Sequence, residues 1–365
     1  MKNDWQTKKL GEICDILDSR RKPVTQRDRI AGEYPYYGAT GIQDYVSDYI
    51  FNEKLILIGE DGAKWGAGEN TAFVAEGKYW VNNHAHVIRP HRDRVLDNWI
   101  VYFLNVNDLS KHITGLTVQK LNQAKLREIE LPLPPIAEQK RIVKILDEVF
   151  EKIKKVKENA EKNLQNSKEL FESYLENIFK NPGRYWEEKE LKDVCTKLFA
   201  GGDVPQNNLS KEKTEKYNIP IFGNGFKDKG LYGYTDIKKV VEPSITISAR
   251  GTIGYAEIRE EAFCPVVRLI VLIPNMKIMD LSFLYYMAHN FKFSNTGTSI
   301  PQLTIPIIEN IKIPTPSVKE QKSIVKKLDT LSVETKKLEA IYKQKLADLE
   351  ELKKSILKKA FNGSL

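Results

Sequence analysis

A chain of 365 residues, 41% hydrophobic and 29% charged, has the length for two or three domains and the composition of a folded rather than a disordered protein. Its three cysteines, Cys14, Cys195 and Cys264, are odd in number and far apart, which excludes a disulfide framework or a zinc site and suits a reducing cytoplasm. A formal charge of +8 and a pI near 9.0 hint at nucleic acid, while no 18-residue apolar span or signal-peptide pattern points to a membrane or to secretion.

In chain order, residues 1–134 read as a mixed α/β domain. A glycine-centred loop, Tyr36-Tyr37-Gly38-Ala39-Thr40-Gly41, precedes an expected strand at Leu55–Gly59, and a second loop, Glu60-Asp61-Gly62-Ala63-Lys64-Trp65-Gly66, follows it. A strand is expected over residues 80–89. It carries the only closely spaced histidine pair, and on a strand His84 and His86 would share a face, as two metal ligands could. No third ligand stands at a usual spacing, so polar contact or core packing is the reading for both. A short helix over residues 97–104 and a polar loop, Thr114-Gly115-Leu116-Thr117-Val118-Gln119, complete the domain.

Prolines 132, 134 and 135 hold the next segment extended, and Glu138-Gln139-Lys140 opens a long helix within residues 135–180. Its apolar positions run Ile142, Leu146, Val149, Ile153, Val156, Ala160 and Leu164, then Phe171, Tyr174 and Ile178. Spacings of three and four make a coiled-coil seam, and the two successive four-residue steps at Val156, Ala160 and Leu164 make a stutter.

Residues 181–316 and 317–365 repeat the plan. The 20 residues from Ile129 and the 20 from Ile311 share 11 identities at an offset of 182, too dense for accident. The second loops are Ile221-Phe222-Gly223-Asn224-Gly225-Phe226, trailed by Lys227 and Lys229, then Ala249-Arg250-Gly251-Thr252-Ile253-Gly254, and Thr296-Gly297-Thr298-Ser299-Ile300-Pro301-Gln302. Strands are expected over residues 244–249 and 266–273, with a helix over 280–287. The second long helix carries Ile324, Leu328, Leu331, Leu338, Tyr342, Leu346, Leu349, Ile356 and Ala360 on its seam. Two helices of roughly 68 Å, at 1.5 Å per residue, are not stable alone in water. The economical arrangement for an internal duplication pairs them antiparallel about a pseudo-two-fold axis, the alternative being that each helix packs only on its own domain. The expected fold class is therefore α+β: two mixed α/β domains joined by two long helices forming an antiparallel coiled coil.

Catalytic signatures are missing. There is no Gly-Lys-Ser/Thr to close a phosphate-binding loop, and Asn181-Pro182-Gly183-Arg184 breaks the aromatic clamp of an adenine methyltransferase at its third residue. Glu138-Gln139-Lys140 and Glu320-Gln321-Lys322 mimic the E-x-K of metal-dependent nucleases. They open helices, where a carboxylate suits the dipole, so capping and contact roles are expected. No cofactor is implied. Glycines beside Lys64, Lys227, Lys229 and Arg250 suit a backbone approaching a polyanion, and each is equally readable as an ordinary turn with a solvated charge.

LPLPPIAEQKRIV and IPTPSVKEQKSIV, each following a variable domain and opening a long helix, together with the terminal Ala360-Phe361-Asn362-Gly363-Ser364-Leu365, resemble the specificity (S) subunit of Type I restriction–modification enzymes over essentially the whole chain. The resemblance implies target-recognition domains at 1–134 and 181–316 and spacer helices at 135–180 and 317–365. It further implies a non-catalytic cytoplasmic subunit whose partners are double-stranded DNA, methyltransferase modification (M) subunits and motor-nuclease restriction (R) subunits. Each domain would read one half of a split, asymmetric target, and the helical pair would set the gap and dock the M subunits. The DNA-facing residues expected on this basis are Tyr36, Tyr37, Thr40, Lys64, Trp65, His84 and Thr117 in the first copy. In the second they are Asn224, Lys227, Lys229, Arg250, Thr252, Thr298 and Ser299. Partner contacts are expected at Glu138, Gln139, Arg141, Glu320, Gln321 and Lys322. Two other classes remain open: a DNA-independent coiled-coil scaffold, for which duplicated loop-rich domains would be superfluous, and a DNA-modifying enzyme with unrecognised motifs.

The basic excess is unevenly distributed along the chain. Segments 1–135, 136–180, 181–316 and 317–365 carry net 0, +1, +2 and +5, so most of the excess lies on the second helix rather than in the domains expected to face DNA.

Overall fold

A computed structural model describes residues 5–115, 117–291 and 302–365. The chain divides into two compact units, one of residues up to Glu161 together with Lys343–Leu365, the other of Lys162–Tyr342. Each unit thus holds one variable domain, the start of the long helix that follows it and the end of the other long helix.

In the first unit, strands Cys14–Ile16, Ala85–Pro90, Leu55–Gly59 and Ala72–Ala75 lie in that order in an antiparallel sheet. A second sheet orders Gly41–Val46, Ala31–Gly38, Lys78–Val81 and Phe51–Asn52, with the middle pair parallel. Leu55–Gly59 is buried on both faces, which is why it is apolar without alternation. Side chains still alternate along it. Ile56 and Ile58 join the core around Trp99, Ile100, Ile142, Leu146 and Leu357, whereas Leu55 and Leu57 join Phe51, Tyr79, Val81 and Val87.

The second unit repeats the arrangement with one strand fewer in its second sheet. Cys195–Ala200, Ile270–Pro274, Ser244–Ile247 and Ala256–Arg259 form one sheet, and Leu231–Thr235, Ile219–Phe222 and Cys264–Pro265 the other. Its main core gathers Ile245, Ile247, Phe283, Leu284, Met287 and Leu303. The domain helices, Asp97–Val106 and Leu281–His289, stand where the sequence places them. Each domain's ends are tied by short antiparallel strands, Gln6–Lys9 with Glu130–Leu133 and Glu187–Glu190 with Lys312–Thr315. The proline-rich segments are extended because they pair there.

Two expected strands are interrupted. Residues 80–89 break at Asn82-Asn83-His84, where Asn82 Oδ1 accepts from the His84 amide at 2.8 Å and turns the chain between sheets. Residues 266–273 become a strand only at Ile270, because Val267 and Arg268 hold left-handed backbone. Burial pushes all three free thiols up, Cys195 to about 12.

The long helices span Ile136–Lys180 and Val318–Phe361, 45 and 44 residues. Within each unit the start of one packs on the end of the other. Ile142 and Leu146 share a core with Leu357 and Ala360, and Lys157 Nζ donates to Glu350 Oε1 at 2.6 Å. In the other unit Leu175 packs with Leu328 and Tyr286. The helices therefore run antiparallel. The first member of each stutter, Val156 and Leu338, is 37% exposed, as expected where the seam drifts off the contact face. No helix among the described residues is long and apolar enough to cross a membrane.

Candidate nucleic-acid interface

Corresponding backbone bonds hold one loop-bearing end of the two domains in the same register. The Asn82 amide donates to the Tyr37 carbonyl at 3.0 Å and the Val266 amide to that of Phe222 at 2.9 Å. Likewise Leu121 donates to Glu60 at 2.8 Å and Leu303 to Ala249 at 2.9 Å. His84 thereby corresponds to Arg268, Asp61 to Arg250 and Lys120 to Gln302.

The side chains at these three positions differ in kind. In the first copy the His84 imidazole meets the Asp61 carboxylate, and Lys120 Nζ lies 2.8 Å from Glu60 Oε1 and 3.8 Å from Asp61 Oδ2. The Glu60 carboxylate, as hydrogen-bond partner and as charge, holds the Lys120 ammonium above its usual range. In the second copy Arg250 Nη2 donates to Gln302 Oε1 at 2.9 Å. Arg268 is exposed, and no hydrogen bond or ion pair to its guanidinium is found among the described residues.

Beneath these positions the copies also differ. Asp18, Arg21, Glu60 and His86 form a buried network in the first: His86 Nδ1 lies 2.6 Å from Asp18 Oδ2, His86 Nε2 lies 2.6 Å from the Leu121 carbonyl, and Arg21 bonds Glu60. Burial works against the ionised Asp18, yet bonds from His86 and the Val87 amide and the charge of Arg21 outweigh it and hold the carboxyl below its usual range. Ligand atoms of Asp18, Glu60 and His86 lie within 4.8 Å of one another, close enough for a metal ion. Arg21 and Lys120 already neutralise the two carboxylates, so the donor set is that of an ion-pair network. The second copy has Ala200, Ala249 and Ile270 at the matching places.

A second loop of the later copy runs from Phe226 to Gly230, with left-handed backbone at Asp228 and Lys229. Buried Arg259 braces it, donating to the Lys229 carbonyl at 2.6 Å and to Thr246 Oγ1 at 3.1 Å with its guanidinium 3.5 Å from the Phe222 ring centre. Burial pushes Arg259 down to about 10, so it remains a cation at neutral pH.

Several expected contact residues are framework instead. Tyr36 is 1% exposed, with its hydroxyl bonded to the Val24 backbone and Arg29 over its ring, and Trp65 is 6% exposed, donating to the Gly59 carbonyl at 3.1 Å. Tyr36 stands on the strand Ala31–Gly38, and neither side chain offers an open face to a ligand. Tyr37 packs against Phe73 and Tyr79. Thr252 Oγ1 is buried and unpartnered among the described residues, so its hydroxyl faces inward. Asn224 is a strut, donating to the Val267 carbonyl at 2.6 Å and accepting from the Ala249 amide at 2.7 Å. Thr40, Lys64, His84, Thr117, Lys227, Lys229 and Arg250 are exposed on loops. Thr298 and Ser299 lie outside the described residues.

The partner residues divide in the same way. Gln139 and Gln321 are fully buried, so their assignment as docking contacts is corrected. Gln139 accepts from the Leu96 amide and donates to the Arg94 and Pro134 carbonyls, and Gln321 does the same with Asp280, Ile278 and Pro316. Each glutamine locks its long helix to the start of its domain helix. Arg141 bridges Glu138 and the Leu365 carbonyl, Glu320 accepts from Trp186 Nε1 at 2.8 Å, and Lys322 is exposed.

Arg268, Asp61, Lys120 and Gln302 join the candidate positions only through the structure, as does a repeated tie in which Tyr102 donates to Asp147 and Tyr286 to Asp329. The tyrosines stand 184 residues apart and the aspartates 182, so the duplication itself held that signal. Burial and the neighbouring carboxylate push both phenols up, keeping them donors.

The family model described as Type I restriction modification DNA specificity domain matches residues 2–163 and again 184–350. A Mycoplasma pneumoniae sequence described as a type I specificity subunit, S.MpnORF507P, is 29% identical over 331 residues, 89% of each chain. A Haemophilus influenzae sequence described as a type I restriction enzyme specificity subunit, S.HindORF215P, is 30% identical over 362 residues, 89% of this chain and 86% of the relative. Among solved structures, a chain of a type I R-M system superposes with a TM-score of 0.77 at 19% identity, over 99% of this chain and 98% of that one.

Proposed function

The chain belongs to the Type I restriction–modification DNA specificity family, and from that membership we propose how its two recognition domains divide the work. Each copy meets one half of a split double-stranded DNA target with its loop end, the first through His84, Asp61, Lys120, Lys64, Thr40 and Thr117, the second through Arg250, Arg268, Gln302, Lys227 and Lys229. The carrying observation is that one backbone framework presents an imidazole, a carboxylate and an ammonium in one copy and two guanidiniums and an amide in the other. Hydrogen-bonding side chains of unlike kind read unlike base edges, so the two half-sites differ and the target is asymmetric.

The helical pair sets the gap between half-sites and docks M methyltransferase subunits, with R motor-nuclease subunits joining the cytoplasmic complex. The chain itself does no chemistry. Nearly neutral recognition domains supply little of the sequence-independent phosphate attraction on which affinity depends, and the M subunits provide the rest. Genome-wide mapping of methylated bases in cells carrying this chain with its M partner tests the reading. Two short, unlike elements at a fixed separation are expected; a single undivided motif, or methylation without sequence preference, contradicts it.

A further inference from the structure

We propose that Arg268 reads a base pair in the half-site bound by the second copy, donating from its guanidinium fork to a guanine edge in the major groove. The proposal rests on the reading of the chain as a DNA specificity subunit and adds the residue that does the reading.

Four residues other than glycine hold left-handed backbone among the described residues: Asp228 (φ 47°), Lys229 (56°), Val267 (53°) and Arg268 (64°). All four belong to two loops of the second copy. A side chain with a Cβ disfavours this conformation, and a β-branched valine most of all. It persists only where surroundings over-determine it, as functional sites do. Here they do so bond by bond. Asn224 Nδ2 holds the Val267 carbonyl at 2.6 Å, while the Val267 amide donates to Gly202 at 2.8 Å and that of Arg268 to Gly201 at 3.1 Å. A Cβ at Gly201 would meet the Pro265 carbonyl carbon at 2.6 Å, so the bracing strand passes close only because that residue is glycine.

The outcome of this bracing is an exposed guanidinium with no partner among the described residues, beside Val267, which is itself 41% exposed. An ordinary surface turn needs neither the strain nor the struts. Arg250 is tied to Gln302, whereas among the described residues none of the Arg268 guanidinium donors is engaged. Its framework counterpart in the first copy is His84, held by Asp61. A position serving only to grip phosphate would keep similar cations in both copies, since phosphates are alike at every sequence; a position that reads bases must change when the bases change. A guanidinium fork matches guanine O6 and N7, which specifies a G·C pair.

The test uses the full chain with its M partner in a host lacking such methylation, comparing wild type with R268A, R268K and R268G by methylated-base mapping and by thermal unfolding of each purified chain. Glycine takes the left-handed backbone without strain, so R268G is expected to unfold no earlier than wild type. Both R268A and R268G should lose preference for one G·C position in one half-site, by about tenfold to a hundredfold, leaving the other half unchanged. R268K, a point charge without the fork, should lose most of the same preference. An unchanged motif in R268A and R268G overturns the proposal. So does an equal loss of methylation at every site with the motif intact, which marks a phosphate contact, and so does failure of both halves with earlier unfolding of R268G, which marks a structural role. A wild-type motif without a G·C pair in either half overturns it too. A wild-type chain giving no split motif sinks the specificity reading, and this proposal with it, before any variant is compared.

Discussion

Gln139 and Gln321 show what a sequence motif conceals at the scale of one residue. Both sit in a repeated Glu-Gln-Lys at a helix start, which in sequence suits a surface contact, yet each is enclosed and bonded on every side to its own domain. Periodicity cannot announce this, because two of the three backbone partners of each glutamine belong to residues 41 to 45 positions upstream. Gln139→Leu leaves the Leu96 amide and the Arg94 and Pro134 carbonyls without partners, at an expected cost of about 3 kcal/mol. The first unit should therefore unfold earlier in a thermal scan, whereas a docking residue would weaken M-subunit binding with no change in unfolding. Asp18 gives a second residue-scale expectation. Its folded carboxyl ionises below the ordinary range, so its contribution is complete above the unfolded carboxylate's range, about pH 4, and is lost as pH falls through the folded value. Asp18→Asn should be less stable than wild type at pH 7 and should lose less stability on acidification, measured by thermal unfolding at stepped pH; parallel pH curves for the two proteins contradict the assignment.

At the scale of elements, the long helices were the most legible part of the chain. Proline punctuation, a seam of three- and four-residue spacings and a shared stutter located both, and the expected antiparallel pairing is present in each unit. Short strands were less so. Leu55–Gly59 is apolar throughout because both of its faces are covered, whereas residues 80–89 and 266–273 look continuous and are cut, the first by a local turn that the Asn82 side chain closes on the His84 amide, the second by left-handed backbone at Val267 and Arg268. Those cuts carry His84 and Arg268, so the poorly read places are also the candidate contact places, as expected where local rules yield to function. One heptad added to both helices at matching points adds about 10 Å to each, and the gap in the methylated motif should grow by about three base pairs with both half-sites unchanged. A seven-residue insertion in one helix alone should mismatch the seam and lower the unfolding temperature. A gap that ignores the paired insertion removes the helices from the spacing role.

For the whole molecule the informative property is duplication with divergence. Net charge points toward nucleic acid, but its excess of +5 sits on residues 317–365, outside the sequence of either recognition domain. What the two copies share is a framework: the sheet order, the glutamine lock and the tyrosine–aspartate tie. What they do not share is the chemistry at three matched positions and the layer beneath them, charged in one copy and apolar in the other. If that divergence is what makes the target asymmetric, removing it should make the target symmetric. The most direct measurement replaces the second recognition domain with a second copy of the first, keeps both long helices, and maps methylated bases with the M partner present. Two identical half-sites in inverted orientation, matching the half-site already read by the first domain, are predicted; retention of the original asymmetric motif would contradict the claim that each copy reads its own half.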